Sequence, residues 1–364
     1  MKKVLIIASS AISTYHFRKE LITSLQNQQY EVFISCPDDG LGYKLKDLGT
    51  TYIDTRYARH GINPFGDYAL YKQYLRLLKE IRPTVVLTYT IKPNIYGNLA
   101  ARRLKIPVIS TITGLGKAFL SKGFVNSVAK ILYRNAFRKV ACVAFQNKTD
   151  EEILRQTKIV THHRFVSLPG SGVNLDQHQL LDYPQDAFVS FLFVGRFVKF
   201  KGVEVLIEAS RRLKAERAND FSVTLIGYHE GDVKQEIEQA EADGIVLDGG
   251  FHEDVTDCLR KSHCVVLPSF VEGMANALLE AAANGRPIIA TNISGCREIV
   301  EDGVNGYLCE PHDVEGLYTC MKRFLDLSLE EKINMGLASR KLAEANFDRN
   351  IVTNTIIEEI NRLH

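Results

Sequence analysis

In the carboxyl-terminal half of the chain, two cations and two carboxylates stand where strands would end and helices begin. Gly195-Arg196-Phe197 follows the apolar run Phe188–Val194, and Lys201-Gly202 precede a helical pattern. A glycine permits a tight exit from a strand. A guanidinium and an ammonium near a helix amino terminus then make a clamp for a diphosphate. Further along, Leu267-Pro268-Ser269 closes a second apolar run, and Glu272-Gly273-Met274-Ala275-Asn276 leads into a helix that carries Glu280. With that helix starting near Gly273, Glu272 lies at its mouth and Glu280 about two turns along it. The amides of Gly273, Met274, Ala275 and Asn276 would then face an anion or sugar hydroxyls. A carboxylate at the mouth can accept bonds from vicinal hydroxyls, and the deeper one can hold a ribose diol. Two glutamates at this spacing would by themselves read as a solvated helix face; the preceding apolar strand that ends in Pro268-Ser269 turns the reading to a site.

The elements that position these residues alternate from end to end. In the first half Val4–Ala8, Glu31–Cys36, Thr51–Thr55, Thr84–Thr88, Val108–Thr113 and Cys142–Gln146 read as strands. Their nearly continuous apolar character is that of parallel strands covered on both faces. Helical patterns lie between them at Phe17–Gln28, Asp67–Ile81, Asn94–Leu104 and Phe124–Phe137. The second half repeats the rhythm with strands at Phe188–Val194, Ser222–Ile226, Ile245–Leu247, Cys264–Pro268 and Pro287–Thr291. Gly295–Val300 reads as a turn and helix, and Asp302–Tyr307 as a hairpin-like loop. Strand–helix alternation of this kind predicts an α/β fold with two doubly wound, Rossmann-like domains facing a cleft.

At 364 residues, 45% hydrophobic and 24% charged, the chain is an ordinary globular protein of two domains, which excludes a disordered one. No apolar run approaches the ~18 residues of a membrane helix. The seven cysteines are scattered, without a Cys-x-x-Cys pair, and point to free thiols in a reducing cytoplasm. The charge is divided unevenly. Residues 1–174 hold 26 Lys and Arg against 11 Asp and Glu, a balance of +15 that offsets −13 in the remainder to leave +2. Residues 81–149 hold 12 basic residues and no acid. A basic lobe suggests nucleic acid, anionic lipid headgroups or a phosphorylated substrate as its neighbour. The charge switch and the loop Pro169–Gly172 coincide, which places the domain boundary there: residues 1–172, then 173–345, with 346–364 a terminal helix returning to the first domain.

Arg196 with Lys201, Glu272 and Glu280 with seven residues between them, Gly285-Arg286-Pro287 and Asp302-Gly303-Val304-Asn305-Gly306 together resemble the retaining, nucleotide-sugar-dependent glycosyltransferases of the two-domain GT-B fold, family 4 type. The resemblance implies that Arg196 and Lys201 bind the donor diphosphate, that Glu272 contacts the donor sugar and that Glu280 binds the ribose. It also implies backbone contacts from Gly273 to Asn276, and from near Phe251 to the base. Met274 stands where the family usually has a phenylalanine. The chain has no Asp-x-Asp pair, so the expectation is a metal-free reaction with no cofactor, the cations stabilising the leaving diphosphate.

In the first half, Ser9–Thr14 is the turn where such a fold brings backbone to the donor phosphate, with Ser13 and Thr14 in place of the family's glycine pair. Tyr15-His16-Phe17-Arg18, Arg59–Pro64 and Thr113–Gly116 resemble the branch acting on polyprenyl-diphosphate-linked saccharides. His16, Arg18 and Lys92 are accordingly acceptor candidates. No His stands between Thr88 and Asn94, where many relatives carry one, and no side-chain base is visible. Lys117–Lys139 interleaves basic and apolar residues. It reads either as an amphipathic core helix or as a helix on an anionic membrane, with Lys122, Lys130, Arg134 and Arg138 at the surface. The expected protein is a retaining transferase, peripheral on the inner face of the cell membrane. It would take a hexose or N-acetylhexosamine from a UDP-sugar to a polyprenyl-diphosphate-linked saccharide in surface-glycan assembly. A synthase with a soluble acceptor and a nucleotide-sugar-binding regulator are the alternatives, and no nucleic-acid module pattern appears.

Overall fold

The computed structural model describes residues 2–58, 61, 63–115, 124–160, 164–230 and 233–363. The chain divides into two units: Met1–Gly172 together with Arg349–His364, and Val173–Asp348.

Unit 1 begins with β1 (Lys2–Ile7), α1 (Ala11–Asn27), β2 (Tyr30–Cys36), α2 (Gly42–Asp47), β3 (Thr51–Asp54), α3 (Pro64–Ile81) and β4 (Val85–Tyr89). A π-helical turn, Pro93–Gly97, leads into α4 (Asn98–Arg103). Then follow β5 (Val108–Ile112), α5 (Phe124–Ala136), a 3₁₀ turn at Phe137–Lys139, β6 (Cys142–Phe145), α6 (Lys148–Gln156) and β7 (Arg164–Ser167). The strands form one parallel sheet in the order β3-β2-β1-β4-β5-β6-β7. The apolar run Val4-Leu5-Ile6-Ile7 is wholly buried in its centre, because helices cover both faces. Unit 2 contains β8 (Val189–Val194), α7 (Val203–Arg217), β9 (Phe221–Ile226), α8 (Lys234–Ala242), β10 (Leu247–Asp248), α9 (Thr256–Lys261) and β11 (Cys264–Leu267). It continues with α10 (Asn276–Ala283), β12 (Ile288–Thr291), β13 (Gly306–Cys309), α11 (Val314–Asp326) and α12 (Leu329–Asn346). Its parallel sheet runs β10-β9-β8-β11-β12-β13. The last helix, α13 (Arg349–Asn361), belongs to unit 1, where Val352, Ile356, Ile357 and Ile360 join the core beneath α1.

Arg349 fixes that return. Its guanidinium donates to the carbonyls of Gly172 (3.1 Å) and His16 (2.8 Å) and pairs with Glu20. Gly172 sits at φ +66°, and a Cβ there would lie 2.5 Å from the Arg349 Cα, so glycine is needed for so close a passage.

Four sequence expectations change. α1 starts at Ala11 rather than Phe17, since Ser10 is a good N-cap: its hydroxyl accepts the Ser13 N–H. The helix expected over Asn94–Leu104 is split by the π-turn. Gly295–Val300 forms successive turns without a helix, and the segment ending the hairpin-like loop is a parallel edge strand, β13, paired with β12. β7 was not legible because Arg164-Phe165-Val166-Ser167, with exposed polar ends and only two half-buried apolar residues between them, lacks the apolar run of the others.

Candidate functional site

In unit 2 the chain order reverses between β8 and β11, so the carboxyl ends of those strands flank the switch point where open α/β sheets bind ligands. Arg196 and Lys201 leave β8, and Glu272 leaves β11. Lys201 Nζ is 2.5 Å from Glu272 Oε1, and both side chains are largely buried, 15% and 9% exposed. The Ser269 hydroxyl donates to the same oxygen at 2.7 Å. Glycine at 202 makes the approach possible: it has φ +72°, and a Cβ there would meet the Pro268 carbonyl oxygen at 1.9 Å. The Phe270 N–H donates to the Phe200 carbonyl (2.8 Å) and ties the two loops together. Arg196 lies outside this pair, its guanidinium 5.3 Å from the Phe200 ring and bonded to Glu230 at 2.8 Å.

The segment before α10 differs from its expected form. The helix begins at Asn276, so Glu280 is just over one turn along it and shares a face with Asn276. The Ala275 N–H is already donated to the Gly295 carbonyl at 2.9 Å, which corrects its assignment as a ligand-facing amide. Ala275 and Met274 are both buried and support the turn from below. Gly295, at φ +87°, lies against Gly273, and the Glu298 carboxylate holds its loop through the Gly295 N–H and the Ser294 hydroxyl. The buried Asn276 Oδ1 has no hydrogen-bond partner among the described residues, unlike most buried polar atoms. Phe251, after β10, is exposed and edge-on to Tyr228 at 6.0 Å, while the Gly227 N–H donates to Gly250. The loops after β8, β9 and β10 are thus joined along one sheet edge.

Gly285-Arg286-Pro287 serves the fold rather than a ligand. Arg286 is fully buried and donates to the carbonyls of Leu259 and Asp182, each at 2.8 Å, and to Leu181 at 3.3 Å. Burial lowers its pKa to about 10.

Unit 1 redistributes the other candidates. Ser13 is exposed in the first turn of α1, and its N–H is held by Ser10. The Ile12 N–H donates to Asp39 Oδ1 (2.9 Å), whose other oxygen accepts from Ser10 (2.6 Å). Asp39 therefore satisfies the helix end that the sequence offered to a phosphate. Lys92 is buried against Asp67 at 2.8 Å, an ion pair between the π-turn region and the first turn of α3, and this corrects its reading as an open acceptor contact. Arg18 is also inside, 4.4 Å over the Tyr89 ring and donating to the Phe17 carbonyl; burial lowers its pKa. His16 lies edge-on to Tyr15. Lys130 is half-buried, whereas Arg134 and Arg138 are exposed on and after α5. Lys122, with Arg59, His60, Ile62 and Gly116, lies outside the described residues. Sequence reasoning missed Asp39 and Glu230; each follows a strand as an acid beside an expected anion site, and only the fold brings them to Ser10 and Arg196.

Comparison with known proteins matches "Glycosyl transferase 4-like" to residues 3–147 and "Glycosyl transferases group 1" to residues 189–326. The chain is 25% identical over 375 residues to the N,N'-diacetylbacillosaminyl-diphospho-undecaprenol alpha-1,3-N-acetylgalactosaminyltransferase of Campylobacter jejuni, covering 98% of each chain. It is 26% identical over 320 residues to the UDP-Gal:alpha-D-GlcNAc-diphosphoundecaprenol alpha-1,3-galactosyltransferase of Escherichia coli, covering 83% of this chain and 82% of that one. Among solved structures, Anabaena HepE in complex with UDP and glucose aligns over 100% of both chains with a TM-score of 0.81 at 16% identity, a likeness of fold.

Proposed function

The chain belongs to the GT-B glycosyltransferases, with a glycosyl transferase 4-like domain followed by a group 1 domain, and from that premise we propose that it transfers a hexose or N-acetylhexosamine, with retention, from a UDP-sugar to a polyprenyl-diphosphate-linked saccharide. The observation that carries this reading is the Lys201–Glu272–Ser269 cluster at the unit 2 switch point, with Arg196 beside it. The relatives' names, both alpha-1,3-transferases acting on diphospho-undecaprenol saccharides, support the acceptor class and are consistent with retention.

With donor bound, Lys201 and Arg196 neutralise the charge that builds on the departing diphosphate. Glu272, next to Lys201, accepts bonds from the sugar hydroxyls, and Glu280 takes the ribose diol. The acceptor hydroxyl attacks the face that the nucleotide leaves, and its proton passes to a donor phosphate oxygen, so no side-chain base is required. The two cations do the work that a divalent ion would do in a carboxylate-lined site, so the reaction proceeds without metal. The enzyme works peripherally on the inner membrane face, where a soluble donor meets a lipid-anchored acceptor. Among the described residues, no helix is long and apolar enough to cross a membrane.

The test is a panel of radiolabelled UDP-Glc, UDP-Gal, UDP-GlcNAc and UDP-GalNAc against lipid-diphosphate-linked and free saccharides, with and without EDTA. Transfer from one donor to the lipid-linked acceptor, alpha-configured and unaffected by EDTA, is the expected result. A beta product overturns retention, transfer to free saccharide alone overturns the acceptor, and inactivation by EDTA overturns the metal-free clamp.

A further inference from the structure

A cavity lies within unit 1, lined by none of the residues proposed for the donor. It is a groove of about 1340 Å³ between α3, α4 and α5, larger than the ~300–1,000 Å³ of a usual small-molecule cleft. Its floor is aromatic and aliphatic, with Tyr71, Tyr96, Leu99, Ile106, Val128 and Leu132. Its rim is basic: Arg102, Arg103 and Lys105 at the end of α4 face Arg138 and Lys139 after α5. Asp67 is the one acidic residue lining it among the described residues, and Lys92 already neutralises it.

Around the groove the surface is more apolar than solvent favours. Phe65, in the first turn of α3, is 91% exposed, and Tyr68 beside it is 60% exposed. Ile131, on α5 between the groove residues Val128 and Leu132, is 67% exposed. An aromatic pair at a helix start, an exposed isoleucine and a cationic rim around an apolar trough match the interface of a bilayer. Aromatic rings lie at headgroup depth there, while cations meet lipid phosphates. A polar small molecule would leave the floor unmatched, and a neutral lipid would leave five cations unmatched.

We propose that this groove binds an anionic phospholipid of the bilayer, with an acyl chain along the tyrosine and leucine floor and the phosphate at the Arg103–Lys105 rim. The inference rests on the peripheral-membrane reading above and gives it a lipid site in place of a diffuse patch. Phe65 and Tyr68 enter the headgroup layer beside it.

The full chain is tested by co-sedimentation with vesicles of phosphatidylcholine, of phosphatidylcholine with phosphatidylglycerol, and of phosphatidylcholine doped with polyprenyl phosphate. The variants are Arg103→Glu/Lys105→Glu, Phe65→Ser and the groove-filling Val128→Trp. Arg102 is left alone because its guanidinium holds the Asn135 side chain. Wild type should sediment with phosphatidylglycerol vesicles at least tenfold better than with phosphatidylcholine alone, and less so as salt rises. The rim and groove-filling variants should lose at least tenfold and Phe65→Ser severalfold, with calorimetric UDP affinity and circular dichroism unchanged. Undiminished sedimentation of both the rim and groove-filling variants overturns the proposal. Groove-dependent binding to polyprenyl phosphate but not phosphatidylglycerol also overturns it and gives the groove to the acceptor. Vesicle binding is read without any sugar transfer, so failure of the transferase reading, seen in the donor panel, is a separate result.

Discussion

Lys201 and Glu272 are 71 residues apart, and their contact forms only when β8 and β11 lie side by side. The sequence shows the two residue types and their strand-end positions; it cannot show that each already holds the other. The ammonium is therefore already engaged, and under the proposed assignment a diphosphate would replace or share the carboxylate. The prediction is a division of labour. Lys201→Ala should lose transition-state stabilisation of ~2–4 kcal/mol, the range for removing a donor to a developing oxyanion. Glu272→Gln should lower kcat while leaving calorimetric UDP affinity near wild type, since its proposed partner is the sugar. Glu280→Gln should weaken UDP itself. Equal loss of UDP affinity in both glutamate variants rejects the assignment. Lys92, which the sequence offered as an open acceptor contact, is misplaced for a related reason: Asp67, its partner, comes from another element.

At the scale of elements, glycines and one histidine decide whether the site edge holds its shape. Gly202 and Gly244 have nearly the same backbone, φ +72° and +67°, but a Cβ at 202 collides with the Pro268 carbonyl while one at 244 meets nothing within 4 Å. Gly244→Ala should cost only the ~1 kcal/mol of a left-handed alanine. Gly202→Ala should cost more and also impair transfer, because relief of the clash moves Lys201 away from Glu272. Urea denaturation with activity assays separates the two; equal stability and activity losses would remove the positioning role of Gly202. Below the edge, His263 accepts the Ser190 N–H at Nδ1, at the start of the β8–β11 pairing. Burial lowers its pKa from the ordinary 6.5, so the folded chain binds fewer protons there than the unfolded one. Its contribution is complete above about pH 6.5 and is lost as pH falls below that value. His263→Asn, which retains an acceptor oxygen, should flatten the stability slope between about pH 7 and 5.5. An unchanged slope assigns the acid sensitivity elsewhere. Such inner pairings are silent in a sequence, where a lone histidine carries no spacing signal.

For the whole molecule, the doubly wound architecture was the most legible feature, because buried parallel strands announce themselves as uninterrupted apolar runs such as Cys264-Val265-Val266-Leu267. Elements without that signature, the short edge strands β7 and β13, became visible only through their pairing. Each unit also has its own core, one cluster filling unit 2 and two lying on the faces of the unit 1 sheet. The cluster proposed for the donor, Lys201, Glu272 and Glu280, lies in unit 2, while Arg349 binds α13 to α1 within unit 1. These facts predict two separable thermal transitions. Saturating UDP at about 100 times its Kd should stabilise the unit 2 transition by ~2.7 kcal/mol and leave the other unmoved. Arg349→Ala removes the guanidinium that the Gly172 and His16 carbonyls and the Glu20 carboxylate share, and should lower only the unit 1 transition by ~3–5 kcal/mol, the cost of breaking a buried pair. Differential scanning calorimetry of wild type and variant, each with and without UDP, gives four curves in which the two shifts should add independently. Should UDP raise both transitions together, or Arg349→Ala lower the one that UDP raises, the two cores are energetically one, and donor binding must then be treated as a property of the whole chain.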